Sequence, residues 1–303
     1  MHNPINNPVK RLNIREGITV KELVDQMKDT AYNGRRLGEA GEIFEEMLDS
    51  KAKIFFSLAG AMVPAGLGSI VSSMIQNGMI HVLITTGANV VHDIIEGLGL
   101  YHLKGSATYD DLELRTRNIN RIYDVLLPQK SFEKVEEFLG KLFEELEGVY
   151  STASILRVIG ERLGKDSILH TAYENSVPVY CPTFFDSIAG LHFMIYRNEK
   201  LSIDQSLDVK EMIDHCFESE RKGTCIIGGG VPKNFVLQSM LLADGFDYAI
   251  QITTDTPQFG GLSGATLEEA KSWCKLKEGA KAVTVYCDAT IALPMLYAYL
   301  VNR

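Results

Sequence analysis

Tryptophan occurs once in this chain, and no run of residues is long and apolar enough to cross a bilayer. The longest apolar stretches, HVLITTGANVV and IALPMLYAYLV, are interrupted or short, and Met1–Lys10 carries no apolar signal region. A soluble protein without membrane contact is expected. Cysteine is sparse: Cys181, Cys216, Cys225, Cys274 and Cys287 form an odd set with no CxxC pair, which argues against a disulfide framework or a zinc ribbon and for a cytoplasmic location. There is no internal repeat, no low-complexity tract and no linker rich in Pro, Gly and Ser, so one domain is the simplest parse. Basic charge is also in deficit. The net charge of −9 opposes nucleic-acid binding and is compatible with a cationic ligand.

The remaining sequence has an ordinary globular balance, with 46% hydrophobic and 23% charged residues. Short β-branched runs (KIFFSL, HVLITT, RIYDVLL, VPVYCPT, TCIIGG, YAIQITT, AVTVYC) alternate with amphipathic stretches such as FEKVEEFLGKLFEEL and DVKEMIDHCF. That alternation predicts an α/β fold with a doubly wound, mainly parallel, Rossmann-like sheet. Thr19 followed by Glu22 forms a capping box ahead of one helix, and RRLGEAGEIFEEMLD predicts a second before the first strand. The parse is therefore a helical N-terminal extension over 1–52 and an α/β domain over 53–303.

In an open parallel sheet, ligands gather beyond the carboxyl ends of the strands. Here those ends read AGAMVPAG, TTGANVVHD, PTFFDS, GGGVPKN, TTDTPQFGGLSG and CDAT. Glycines and small residues let backbone N–H groups approach a phosphate, and the following helix N-terminus favours an anion. A dinucleotide is one candidate; without a GxGxxG motif, tight turns are the other. Asp93, Asp186 and Asp288 follow strands and suit either ribose hydroxyls or helix N-caps.

The stretch EEAKSWCKL contains the single tryptophan. On a helix Glu269 and Trp273 share a face, whereas Lys275 points away, so the three can line one pocket only if the helix stops near Cys274. An indole face attracts an ammonium or iminium, and a desolvated lysine amine can form a Schiff base. The alternative is a solvated lysine beside a helix C-terminus. His92, Asp93 and Glu96 lack the second histidine of a zinc helix, so no metal is expected. Cys274 has no adjacent base and reads as a small buried residue, and PMLYAYLV reads as a packing helix.

IGGGVPKN, DYAIQITTDTPQFGGLSGATLEEAKSWCK and VTVYCDATIALP, supported by VLITTGANVVHD, NINRIYDVLLP and VPVYCPTFFDS, together resemble the deoxyhypusine synthase family from about Lys53 to the C-terminus, in its prokaryotic deoxyhypusine synthase-like branch. The resemblance implies a Rossmann-like domain assembled as a homotetramer, a dimer of dimers, with NAD and spermidine sites at the dimer interface. It implies oxidation of spermidine by NAD, an aminobutyl imine on Lys275, and transfer to a lysine of the hypusine-carrying translation factor or, in homospermidine synthases, to putrescine. Lys275 matches the imine-forming lysine, while Glu269, Trp273, Asn234 and Gln238 match substrate-binding positions. Thr86, Gly87, Asp186, Gly229, Gly230, Thr254, Ser263, Asp288 and Ala289 match cofactor-binding positions.

The pattern also departs from the eukaryotic members. Leu191 and Leu262 stand where two polyamine-gripping aspartates are expected, Asn234 replaces a histidine, His92 a glutamate, and Gly60–Ala61 a serine–asparagine pair. Beside Glu269, Asp255 and Glu268 are candidate acids to hold a polyamine. A catalytically silent NAD-binding assembly protein is the reading from another class that these departures allow.

Overall fold

Thr19 opens the first helix by a reciprocal exchange. Its hydroxyl accepts the Glu22 N–H at 3.1 Å while the Glu22 carboxylate accepts the Thr19 N–H at 2.9 Å. The computed structural model describes residues 8–303, so the first seven residues of the expected extension lie outside the described region. The first helix runs Val20–Lys28 and the next Tyr32–Asp49. The second helix buries Leu37, Ala40, Ile43, Phe44 and Met47 in the same core as the sheet. Two glycines allow this close fit. A Cβ on Gly41 would stand 2.8 Å from the Tyr299 ring, and one on Gly223 would stand 2.7 Å from the Met47 sulfur. The extension thus shares its core with the α/β unit.

Six strands form the central sheet: β1 (Lys53–Leu58), β2 (Val82–Thr85), β3 (Val179–Tyr180), β4 (Lys222–Ile227), β5 (Phe246–Thr253) and β6 (Leu276–Tyr286). Their spatial order is β6-β5-β4-β1-β2-β3, and every pairing is parallel. Side chains of β1 alternate between two apolar layers: Ile54, Phe56 and Leu58 face one, Phe55 the other. Helices Tyr32–Asp49 and Ala289–Val301 cover the first layer; helices Gln205–Phe217 and Gly230–Ser239 cover the second. Each such buried Phe or Ile contributes roughly 1.5–3 kcal/mol of transfer free energy. The doubly wound α/β fold expected from the sequence is present.

RIYDVLL departs from the expectation of one strand. It folds as a hairpin, Ile119–Ile122 against Val125–Pro128, in a separate three-stranded sheet with Leu103–Lys104. Tyr123 and Asp124 form the two-residue turn, with Tyr123 in the left-handed region at φ +55°. Among the described residues, no helix is long and apolar enough to cross a membrane.

Candidate active site

The strand order reverses between β1 and β4, which opens a crevice beyond their carboxyl ends. It holds about 590 Å³ and is lined from several strand ends: Gly60 after β1, Thr86 after β2, Gly228–Gly230 after β4, Thr254 after β5, and Asp288 after β6. Of the nine expected cofactor positions, Thr86, Gly229, Gly230, Thr254, Ser263, Asp288 and Ala289 meet there.

The glycine turn explains its own composition. Gly228 and Gly230 adopt φ +74° and +60°, which side-chain-bearing residues avoid. Gly229 lies so close to the following loop that a Cβ would fall 2.4 Å from the Ser263 Cα. The Gly230 N–H donates to the Ser263 hydroxyl at 2.9 Å, and helix Gly230–Ser239 begins at this point with its positive end at the crevice. Opposite, Asp288 caps helix Ala289–Val301. Its Oδ1 accepts the Thr290 N–H and hydroxyl, both at 2.7 Å, which holds the carboxyl below the usual range. A bare backbone cradle, a helix terminus and an exposed carboxylate suit a ligand that carries phosphate and hydroxyl groups.

Two expected cofactor residues lie outside the crevice lining. Gly87 is buried against Ser187, where a Cβ would come within 2.4 Å of the Ser187 Cβ, and its N–H donates to the Thr183 hydroxyl at 3.0 Å. Asp186 is exposed in the turn after β3, where Ser187 rather than Asp186 caps helix Ile188–Tyr196. Asp93 is a structural cap. Its carboxylate, fully buried, accepts from Ser167 Oγ and from the N–H groups of Ile168 and Leu169 at 2.6–2.9 Å. Burial pushes this carboxyl up to about 6 against the pull of those three donors.

The tryptophan segment meets the condition set by its sequence. The helix spans Leu267–Ser272 and stops with Cys274 in the left-handed region at φ +54°. The N–H groups of Cys274 and Lys275 donate back to Lys271 and Ala270, each at 3.0 Å, in a Schellman closure. This reversal brings the Lys275 amine 5.8 Å from the Trp273 ring centroid, within cation–π reach. Glu269 is exposed on the same helix, Trp273 is 62% exposed, and Lys275 is half-buried. Asn234 and Gln238 lie four residues apart on helix Gly230–Ser239, the first half-buried and the second exposed. None of these five lines the crevice. Cys274 is exposed, contrary to the buried side chain expected, because the left-handed turn directs it outward.

Sequence reasoning missed Lys233 and Gln251. Lys233, almost wholly buried, donates to the carbonyls of Leu262 and Ala265 at 3.0 and 2.6 Å and to Gln251 Oε1 at 3.1 Å. The available signal was a glutamine between Ile250 and Ile252, in the middle of the strand YAIQITT. His92 shares a hydrogen bond at 2.9 Å with His102, which pairs with Glu96 at 3.0 Å.

A family model described as deoxyhypusine synthase matches residues 22–300. The chain belongs to the deoxyhypusine synthase family. It is therefore an enzyme of the aminobutyl-transferase class, which displaces the catalytically silent reading. It is 60% identical over 291 residues to "Probable deoxyhypusine synthase 1" of Archaeoglobus fulgidus, covering 96% of each chain. It is 49% identical over 304 residues to the protein of the same name from Methanosarcina mazei, covering 99% of this chain and 96% of that one. A crystal structure assigned to deoxyhypusine synthase of Entamoeba histolytica shares the fold at a TM-score of 0.67 and 17% identity, covering 96% of each chain. Deoxyhypusine synthase relatives thus span nearly the whole chain, including the helices ahead of β1.

Proposed function

We propose that this enzyme uses NAD to transfer the aminobutyl group of spermidine, through an imine on Lys275, to a lysine of the hypusine-carrying translation factor. The reading rests on one observation above the others: the helix stop at Cys274 that sets the Lys275 amine over the Trp273 ring. The crevice residues fit the cofactor, since positive φ at Gly228 and Gly230 and the close approach of Gly229 to Ser263 keep this turn free of side chains, so that a pyrophosphate would meet bare backbone. Bound NAD would supply a hydride acceptor, and the same hydride would reduce the product imine.

The chain's own groups divide the remaining work. Trp273 gives the cationic amine an apolar, electron-rich wall, and Glu269 offers a carboxylate to a terminal ammonium. Lys275, unprotonated at the moment of attack, adds to the oxidised carbon of the donor, and 1,3-diaminopropane leaves as the aminobutyl imine forms. The acceptor amine then displaces Lys275 by imine exchange. Asn234 and Gln238 present one polar helix face to the donor. Asp186 and Gly87 are proposed to complete the cofactor site in the assembled enzyme.

We further propose that the enzyme is a cytoplasmic homotetramer. Helix Ile188–Tyr196 is apolar on all sides yet leaves Leu191, Met194 and Ile195 more than half exposed in the single chain, as an interface helix would. A second reading of the acceptor is putrescine or another small amine: Leu191 and Leu262, where two aspartates are expected, weaken the hold on a polycation and so bear on donor and acceptor alike. Incubation with NAD and radiolabelled spermidine followed by borohydride should leave a stable label on Lys275. Adding the factor or putrescine should then move the mass to the protein or to a new triamine. No label and no diaminopropane would defeat both readings.

A further inference from the structure

Among the described residues, Lys233 is the one lysine whose side chain is fully buried, and its surroundings are unusual. No carboxylate lies within ion-pair distance of its ammonium among the described residues. The charge is instead held by oxygen dipoles: Leu262 O at 3.0 Å, Ala265 O at 2.6 Å, Gln251 Oε1 at 3.1 Å and, at the limit of a hydrogen bond, Ser263 O at 3.5 Å. Gln251 repeats the pattern with its other end, donating from Nε2 to Gly228 O at 3.0 Å and Ser263 O at 2.8 Å. Burying an ammonium is costly, and burial pushes this one down to about 8 although Glu269 and Asp255 act in the opposite sense and Lys275 adds to the effect. An apolar residue would fill the space more cheaply, so the donors themselves are what the site requires.

Their targets identify the requirement. Ser263, between Leu262 and Ala265, receives the Gly230 N–H and touches Gly229, so this segment forms one wall of the crevice. The same segment leads through the cap residue Thr266 into the helix that ends at Trp273 and Lys275. We propose that Lys233 is a positioning residue: its ammonium fastens Leu262–Ala265 between the glycine turn and the Trp273 helix, so that the cofactor crevice and the lysine-bearing wall keep one fixed geometry. The coupling to Lys275 chemistry rests on the function proposed above; the fastening does not.

Lys233→Met keeps the volume of the stem and removes every donor. In unliganded protein, hydrogen exchange of the amides from Ser263 to Glu269 should accelerate at least roughly tenfold while β1 and β4 stay protected. In the same variant, about tenfold more NAD should be needed to shift the emission maximum of Trp273, the only tryptophan in the chain. If the variant loses protection throughout, Gln251→Met decides: faster exchange confined to the same segment supports the proposal. Unchanged exchange in that segment, in whichever variant folds, overturns it. Faster exchange in the variant, with no response of the wild-type protein to NAD, would sink the cofactor reading and leave the positioning role standing.

Discussion

Trp273 and Lys275, two residues apart, face each other across a left-handed Cys274, with the amine 5.8 Å from the indole centroid. On a continuous helix the two side chains would diverge by about 200°. The contact therefore exists because the helix stops, and the stop is made by a residue other than glycine at a conformation that costs roughly 1 kcal/mol.

Replacing that residue should separate stability from chemistry. Cys274→Gly relieves roughly 1 kcal/mol of backbone strain while keeping the turn, but frees the unfolded chain by a similar amount, so denaturant unfolding should change by less than about 0.5 kcal/mol, with transfer activity retained. A loss of activity with unchanged stability would show that the thiol itself takes part.

Lys275→Arg preserves a cation beside Trp273 but removes the amine that can form an imine. Transfer should fall on the order of a thousandfold and borohydride should fix no label, while the melting temperature stays within a few degrees of wild type.

Gly229→Ala places a methyl group where the Ser263 backbone stands. A stability loss of about 1–3 kcal/mol is expected from the forced shift, together with at least roughly tenfold weaker NAD binding by calorimetry. Intact binding would mean that the crevice is not the dinucleotide site.

Asp93→Ala strips three donors of their acceptor at the start of helix Ile168–Glu174. Two are backbone N–H groups with no solvent to turn to, so unfolding in urea should show a loss of about 2–4 kcal/mol with little change in the affinity for NAD.

His92 should set part of the acid sensitivity. Burial, and secondarily the neighbouring His102, lower its imidazole to about 4 from an ordinary value of 6.5. Between those values the unfolded chain holds a proton that the folded chain refuses, so stability is full above pH 6.5 and declines as the pH falls toward 4. The decline from this group is up to about 2 kcal/mol after allowance for its partial exposure. His92→Gln should flatten the curve of unfolding free energy across that window.

The periodicity of KIFFSL, TCIIGG and YAIQITT was enough to place β1, β4 and β5, because a strand buried on both faces leaves a continuous apolar signature. RIYDVLL carries the same composition but breaks at Tyr123–Asp124, a turn whose positive φ no residue pattern there announces. At the site, the glycine turn was legible because close approach demands glycine. The stop at Cys274 could be stated only as a condition, since cysteine carries no left-handed preference. Lys233 stayed hidden for the opposite reason: a lysine early in a helix reads as solvated until the fold shows four oxygens around it.

The sheet also has an assembly history written into it. One half, β1 to β3, is synthesised before the other, β4 to β6, and the two halves meet along a single seam where Lys53 pairs with Lys222. The crevice lies across that seam and takes its lining from strand ends of both halves. Under the proposed reading, a dinucleotide bound there would touch strand ends from both halves at once, and so would favour the joined sheet over its separated parts.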